Sequence, residues 1–145
     1  MFITDQHRNQ IRAHLSVMER QYDVLQALKP HSLEEFQEQP VLRAAAERAL
    51  HIALESLTDI GNIMIDALVM RDAASYEDIF DILTEEKVFD QEFAAHFRPV
   101  VVFRKQLAHE YMQLNVEDVY HHAHAHSDDF PILRDSISKY VQLTY

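Results

Sequence analysis

Residues 41–70 read VLRAAAERALHIALESLTDIGNIMIDALVM, and this stretch decides the fold class. Leu42, Ala46, Ala49, Ala53, Leu57, Ile60, Met64 and Leu68 recur at intervals of three and four residues. That is the period of an α-helix, and it holds one stripe for about eight turns. A strand cannot use such spacing, because its side chains alternate with period two. Pro40, just upstream, suits the first turn of a helix, where its missing N–H has no intrahelical partner to lose. The many alanines and Gly61 predict that neighbouring helices approach this one closely.

Working outward, Ile11, Leu15, Met18, Tyr22, Leu25 and Leu28 show the same period, so a long amphipathic helix is expected from Thr4 to Lys29. Pro30 stops it. The polar stretch His31–Gln39 is a connection with one turn opened by Ser32 and answered by Glu35 in capping-box spacing. Downstream, Ser75 with Asp78 opens a helix through Leu83, and Asp90 caps another toward Met112 that Pro99 should kink or divide. Asn115 with Asp118 opens the last helix. Pro131 is expected to bend it before Ile132, Ile137, Tyr140 and Val141 close the core. No repeat or linker divides the chain, so residues 1–145 form a single domain, an all-α, antiparallel up-and-down bundle of four to six helices.

Composition removes whole classes of function. With 48% hydrophobic and 26% charged residues, 145 residues suffice for one core. One glycine and four prolines are too few for the tight turns of a sheet or for glycine-rich nucleotide-binding loops. The lack of cysteine excludes disulfides, thiolate metal sites, iron–sulfur clusters and a cysteine nucleophile, and it fits a reducing, cytoplasmic location. The opening MFITDQHRNQ does not read as a signal peptide, and no stretch approaches membrane-spanning length. A net charge of −11 argues against a broad nucleic-acid surface, so any such contact must be local.

The chemistry concentrates in VVFRKQLAHEY, residues 101–111, which contains Arg104, His109 and Tyr111 in the pattern R-x4-H-x-Y. A permanent cation can stabilise the charge on a phosphorane, and an imidazole can deprotonate a ribose 2′-hydroxyl or protonate a departing 5′-oxygen. Such a pair cleaves RNA without a divalent ion. On a straight helix, however, His109 lies about 140° around from Arg104, and Tyr111 returns to within about 20° of it. Either the segment unwinds near Leu107, or a site combines residues of two chains about a two-fold axis, the arrangement favoured here. The plainer alternative gives Arg104 a surface ion pair and His109 a helix end. A local basic rim for an anionic substrate is available in Arg98, Arg104 and Lys105.

This pattern, with its all-helical setting, resembles the HepT-like branch of the HEPN superfamily, whose signature is R-x4-H-x-Y. ERALHIALESLTDIGNIMID resembles that family's alanine-rich second helix, and NVEDVYHHAHAHSDDFPILRDSISKYV the segment after its motif. The resemblance implies a homodimeric ribonuclease toxin paired with a minimal, MntA-like nucleotidyltransferase antitoxin. It assigns catalysis to Arg104 and His109, and adenylylation by the antitoxin to the Tyr111 hydroxyl. Lys105 departs from the family, where a small polar residue such as asparagine is common. It supplies a further phosphate contact or marks a weakened site. The rival class is a non-enzymatic helical binding module.

Neither a cofactor nor a metal is expected to take part. His121, His122, His124 and His126 pair at helical spacings, and Asp118 is near enough in sequence to join, but no complete shell is visible. They are expected to form a solvated helix surface. His51 and Glu55 are read as an i, i+4 surface contact, and Tyr22, Phe93, Phe97 and Phe103 as core aromatics rather than base-stacking platforms.

Overall fold

Thr4 sets the first helix: its hydroxyl accepts the His7 amide at 3.2 Å while its own amide donates to the His7 ring at 3.1 Å. In a computed structural model, which describes residues 2–144, every regular element among those residues is helical. Six helices of ten or more residues, with one shorter segment, make up the bundle. They are α1 (Asp5–Leu28), α2 (Leu33–Glu38), α3 (Pro40–Leu68), α4 (Tyr76–Glu85), α5 (Gln91–His109), α6 (Val116–His126) and α7 (Phe130–Tyr140). The short segment is α2, held by the Ser32–Glu35 capping box that its sequence announces.

Helix directions follow from side chains at the ends. Arg8, early in α1, donates to the Val141 carbonyl past the end of α7 at 2.8 Å. Gln26 and Lys29, at the other end of α1, hold Asp128 just before α7 begins. The two helices are therefore antiparallel. Ile3 lines one hollow with Leu68, and mid-helix His14 faces Asp59, so α1 also runs antiparallel to α3. Ile11, Leu15, Met18 and Leu25 of α1 and Ala46, Ala49, Ala53, Leu57, Ile60 and Met64 of α3 are buried in one core. Each large apolar side chain so buried contributes about 1.5–3 kcal/mol.

Gly61 is where α4 meets α3. A Cβ there would lie 2.4 Å from Ile79 Cγ2 and 3.4 Å from Leu83 Cδ1. The connection between the helices is tied by Arg71, which donates to Asp78 at 2.7 Å and to Glu85 at 2.8 Å; the Arg71 bond, with the Ala74 amide, holds the Asp78 carboxyl pKa down at about 2.

Several sequence expectations need correction. Helix α5 runs through Pro99 as one element, because Pro99 and the preceding turn at Ala95 face solvent, where water can satisfy the carbonyl that loses its donor. It stops at His109 rather than near Met112. The backbone leaves helical geometry at Glu110 (φ −120°, ψ 41°), and Tyr111–Gln113 form a 3-10 turn. The last segment is two helices, and the break comes before Pro131, at the 3-10 turn Ser127–Asp129. Ile132 and Tyr140 are exposed, and Phe130 and Leu133 take their places beside Ile137 and Val141 in the core.

The histidines of α6 are not a solvated surface. Only His121 is exposed. His122 stacks on Phe103 with ring centroids 4.3 Å apart, and burial holds its pKa down at about 4, aided by His126 and His121 against Asp118. His124 packs on Phe36 and Tyr120, its Nε2 facing the carbonyls of Lys29 and His31 at 3.1 Å. His126 is buried against Asp129. These rings join α6 to the start of α2 and to α5, which helix periodicity alone does not reveal.

Replacing all four histidines with Gln should lower unfolding stability by about 2 kcal/mol or more, whereas His121→Gln alone should stay within about 0.5 kcal/mol, as read by urea denaturation. Gly61→Ala should also destabilise. Better helix propensity offers up to about 1 kcal/mol. Overpacking against the stiff, β-branched Ile79 costs about 1–3 kcal/mol. In an Ile79→Ala background the same change should turn stabilising, and simple additivity of the two substitutions would refute the contact.

Candidate active site

Arg104 faces inward from the last turns of α5, one of the few charged side chains buried in the bundle. A buried guanidinium must be paired, and Glu55 of α3 accepts from Nε at 2.6 Å. Tyr76, the first residue of α4, lays its ring over the guanidinium carbon at 3.4 Å from the centroid. Three helices therefore fix one cation. Its two terminal amino groups donate to no protein group among the described residues and keep contact with solvent, which leaves an edge suited to an anion.

Glu55 also reaches His51 Nε2 at 3.4 Å, so Arg104, Glu55 and His51 form a chain of contacts across α5 and α3. Burial lowers the His51 pKa, with Arg48 and Arg104 acting in the same direction and Glu55 opposing them. The i, i+4 spacing of His51 and Glu55 reads as a surface contact, but it is part of the setting of the motif arginine. Sequence spacing gives no sign of this, because the partner lies 49 residues away.

His109 is the last residue of α5, exposed, and without a hydrogen bond or ion pair among the described residues. The helix does not unwind near Leu107, so the angular separation from Arg104 stands: one side chain points into the bundle and the other to solvent. Tyr111 is 73% exposed in the turn that follows, and its hydroxyl has no partner among the described residues. It lines an open groove with Ala44, Glu47, Arg48, His51, Leu107 and Leu114. Arg48, in no ion pair among the described residues, is a cation of this groove that motif reading misses; its position one turn before His51 on α3 is the only sequence signal for it. Lys105 is exposed, with Nζ 3.8 Å from Glu110. Arg98 instead makes a bidentate pair with Asp81 of α4, at 3.0 and 3.1 Å, which balances its charge. The tyrosine, valine and methionine side chains of Tyr76, Val102, Tyr111 and Met112 give this end of the bundle an exposed apolar character. No helix among the described residues is long and apolar enough to cross a membrane.

The chain is similar to several known proteins. YutE of Bacillus subtilis (strain 168), described as a candidate RNase, is 37% identical over 90 residues, a match that spans 60% of this chain and 62% of YutE. A solved structure of B. subtilis YutE, described as a cytosolic protein of unknown function, has a TM-score of 0.76 at 29% identity and covers 100% of this chain and 99% of its own. The Shewanella oneidensis HEPN toxin, solved in tri-AMPylated form with its MNT antitoxin, shares the fold with a TM-score of 0.79 at 22% identity, covering 90% of this chain and 97% of the toxin. The family model described as Ribonuclease HepT-like matches residues 18–137, most of the bundle and the whole motif segment, and the chain belongs to that family.

Proposed function

We propose that this protein is a metal-independent endoribonuclease, the cytoplasmic toxin of a two-component system whose other member is an MntA-like nucleotidyltransferase antitoxin. The observation that carries the reading is Arg104: a guanidinium fixed by Glu55 and Tyr76, with its terminal amino groups left for a phosphate, on the helix that ends in an unencumbered His109. Membership of the HepT-like family supports it. Holding the cation in place beforehand spares its reorganisation when charge develops.

Since His109 points away from Arg104 on a continuous helix, the working site combines Arg104 of one protomer with His109 of the other in a two-fold homodimer. The exposed apolar side chains of Val102 and Met112 beside the motif favour such a seam. There the imidazole takes the proton of a ribose 2′-hydroxyl, whose oxygen attacks the adjacent phosphorus. Arg104 stabilises the phosphorane, and the P–O5′ bond breaks as the imidazolium so formed gives its proton to the leaving oxygen. The products are a 2′,3′-cyclic phosphate and a 5′-hydroxyl. Lys105 supplies a further phosphate contact. Arg98, partly neutralised by Asp81, contributes less. Tyr111 is the acceptor of adenylate from the antitoxin: its hydroxyl is exposed in a groove beside Arg48, where added phosphate charge and bulk would obstruct RNA.

Purified protein, freed of any co-expressed partner and given excess chelator, should cleave total RNA to leave 2′,3′-cyclic phosphate ends. Arg104→Ala and His109→Ala should each lower the rate by about 100-fold or more. An equal mixture of the two variants should recover about a quarter of wild-type activity, because half the dimers are mixed and each mixed dimer has one intact composite site. No recovery would place the site in one chain, and equal cleavage by wild type and His109→Ala would favour the non-enzymatic binding module.

Incubation with the antitoxin and ATP should add adenylate mass to the peptide containing Tyr111. Tyr111→Phe keeps the ring and loses the acceptor oxygen, so it should stay folded and active in the presence of the antitoxin. Neutralisation of that variant as effective as that of wild type would overturn the assignment.

A further inference from the structure

Away from the motif, His96, His126 and Asp129 bring three ligand atoms within 4.8 Å of one another. They come from α5, the last residue of α6 and the 3-10 turn before α7. His96 Nε2 and His126 Nδ1 both lie 2.9 Å from the same carboxylate oxygen, Asp129 Oδ2. We infer that this is a binding site for one divalent transition ion, zinc foremost, which clamps α5 to the α6–α7 joint.

The position of Asp129 is telling. It directly precedes α7 with helical backbone angles (φ −79°, ψ −23°), a geometry in which its side chain makes no capping bond, and its carboxylate is turned to the two imidazoles. The nitrogen-to-oxygen distances are a few tenths of an ångström below the roughly 3.3 Å separating tetrahedral ligands bound at about 2.0–2.1 Å. His126 and Asp129 are buried and held by packing, whereas the His96 side chain is 54% exposed, so it can adjust and leaves a path and an open coordination position for water. Two imidazole nitrogens with one carboxylate favour zinc, cobalt or nickel over magnesium or calcium, which prefer oxygen donors. On binding, the nitrogens that donate to Asp129 lose their protons to the opposite ring nitrogens, and the metal replaces two hydrogen bonds with three coordinate bonds.

The neighbouring histidines do not share in this. His122 is stacked on Phe103, His124 faces backbone carbonyls, and Asp118 is engaged with the Asn115 cap, so only His126 of the α6 run enters the cluster. His96 lies eight residues before Arg104, about 12 Å along α5. The site is thus distinct from the proposed ribonuclease site, and its predicted effect is on stability.

The test uses the full chain, stripped with chelator and dialysed, titrated with Co²⁺ by visible absorption and then with Zn²⁺ in competition. Wild type should bind one ion per chain with a tetrahedral-type d–d spectrum, and zinc, unlike magnesium, should raise the thermal midpoint. His96→Ala, at a half-exposed position, should fold and bind at least about 10-fold more weakly, as should Asp129→Asn; His121→Ala should bind as wild type does. Absence of stoichiometric binding by wild type, equal affinity in His96→Ala, or loss of binding in His121→Ala would each overturn the site. None of these readouts involves RNA, so the outcome is separable from that of the ribonuclease reading.

Discussion

The close packing of α3 is the constraint on which the rest of the bundle depends. Its 29 residues bury Ala46, Ala49 and Ala53 in the core shared with α1 and present Gly61 to α4, where the two helices approach with little side-chain bulk between the backbones. Where α4 touches Gly61 there is no room for one methyl group. That contact, with Arg71 tying the preceding connection, places the first residue of α4, Tyr76, over Arg104. Six residues before Gly61 on the same helix, Glu55 reaches Arg104 from the other side.

The arginine environment is consequently a product of packing among helices remote in sequence. Burying an unpaired guanidinium would cost several kcal/mol, so Glu55 is a requirement of the fold as much as a feature of the site. The same pairing aims the cation. With Nε engaged and one face covered, the terminal amino groups are the part of the group left to meet an anion. His109 needs no comparable support because it ends its helix in solvent, and the proposed shared site rests on this contrast between a buried, fixed cation and an exposed, unpaired imidazole.

A second polar assembly lies farther along α5. There the 3-10 turn between α6 and α7 brings Asp129 against two histidines whose rings contact each other, and His126 also meets the Phe97 ring edge-on. The 3-10 turn before Pro131 separates α6 from α7 and lets α7 run antiparallel to α1, while the helical backbone of Asp129 leaves its carboxylate out of any cap.

By itself the sequence determined the helical class, most helix starts and much of the core. These are local matters: apolar spacing selects the helix period, and Thr4, Ser32, Ser75, Asp90 and Asn115 cap helices through side chains three residues from the amides they accept. The motif residues were also legible, as residue types in a spacing. Where Arg104 points, what holds it, and whether a histidine run faces water were decided by tertiary structure. Glu55 is 49 residues from Arg104 and Asp129 is 33 from His96, and no helical period relates side chains across such separations. Pro99 and Pro131 show the same division. Proline's chemistry is fixed, but Pro99 is accommodated within α5 where the deprived carbonyl faces solvent, whereas Pro131 falls in the first turn of α7, where no intrahelical bond is lost.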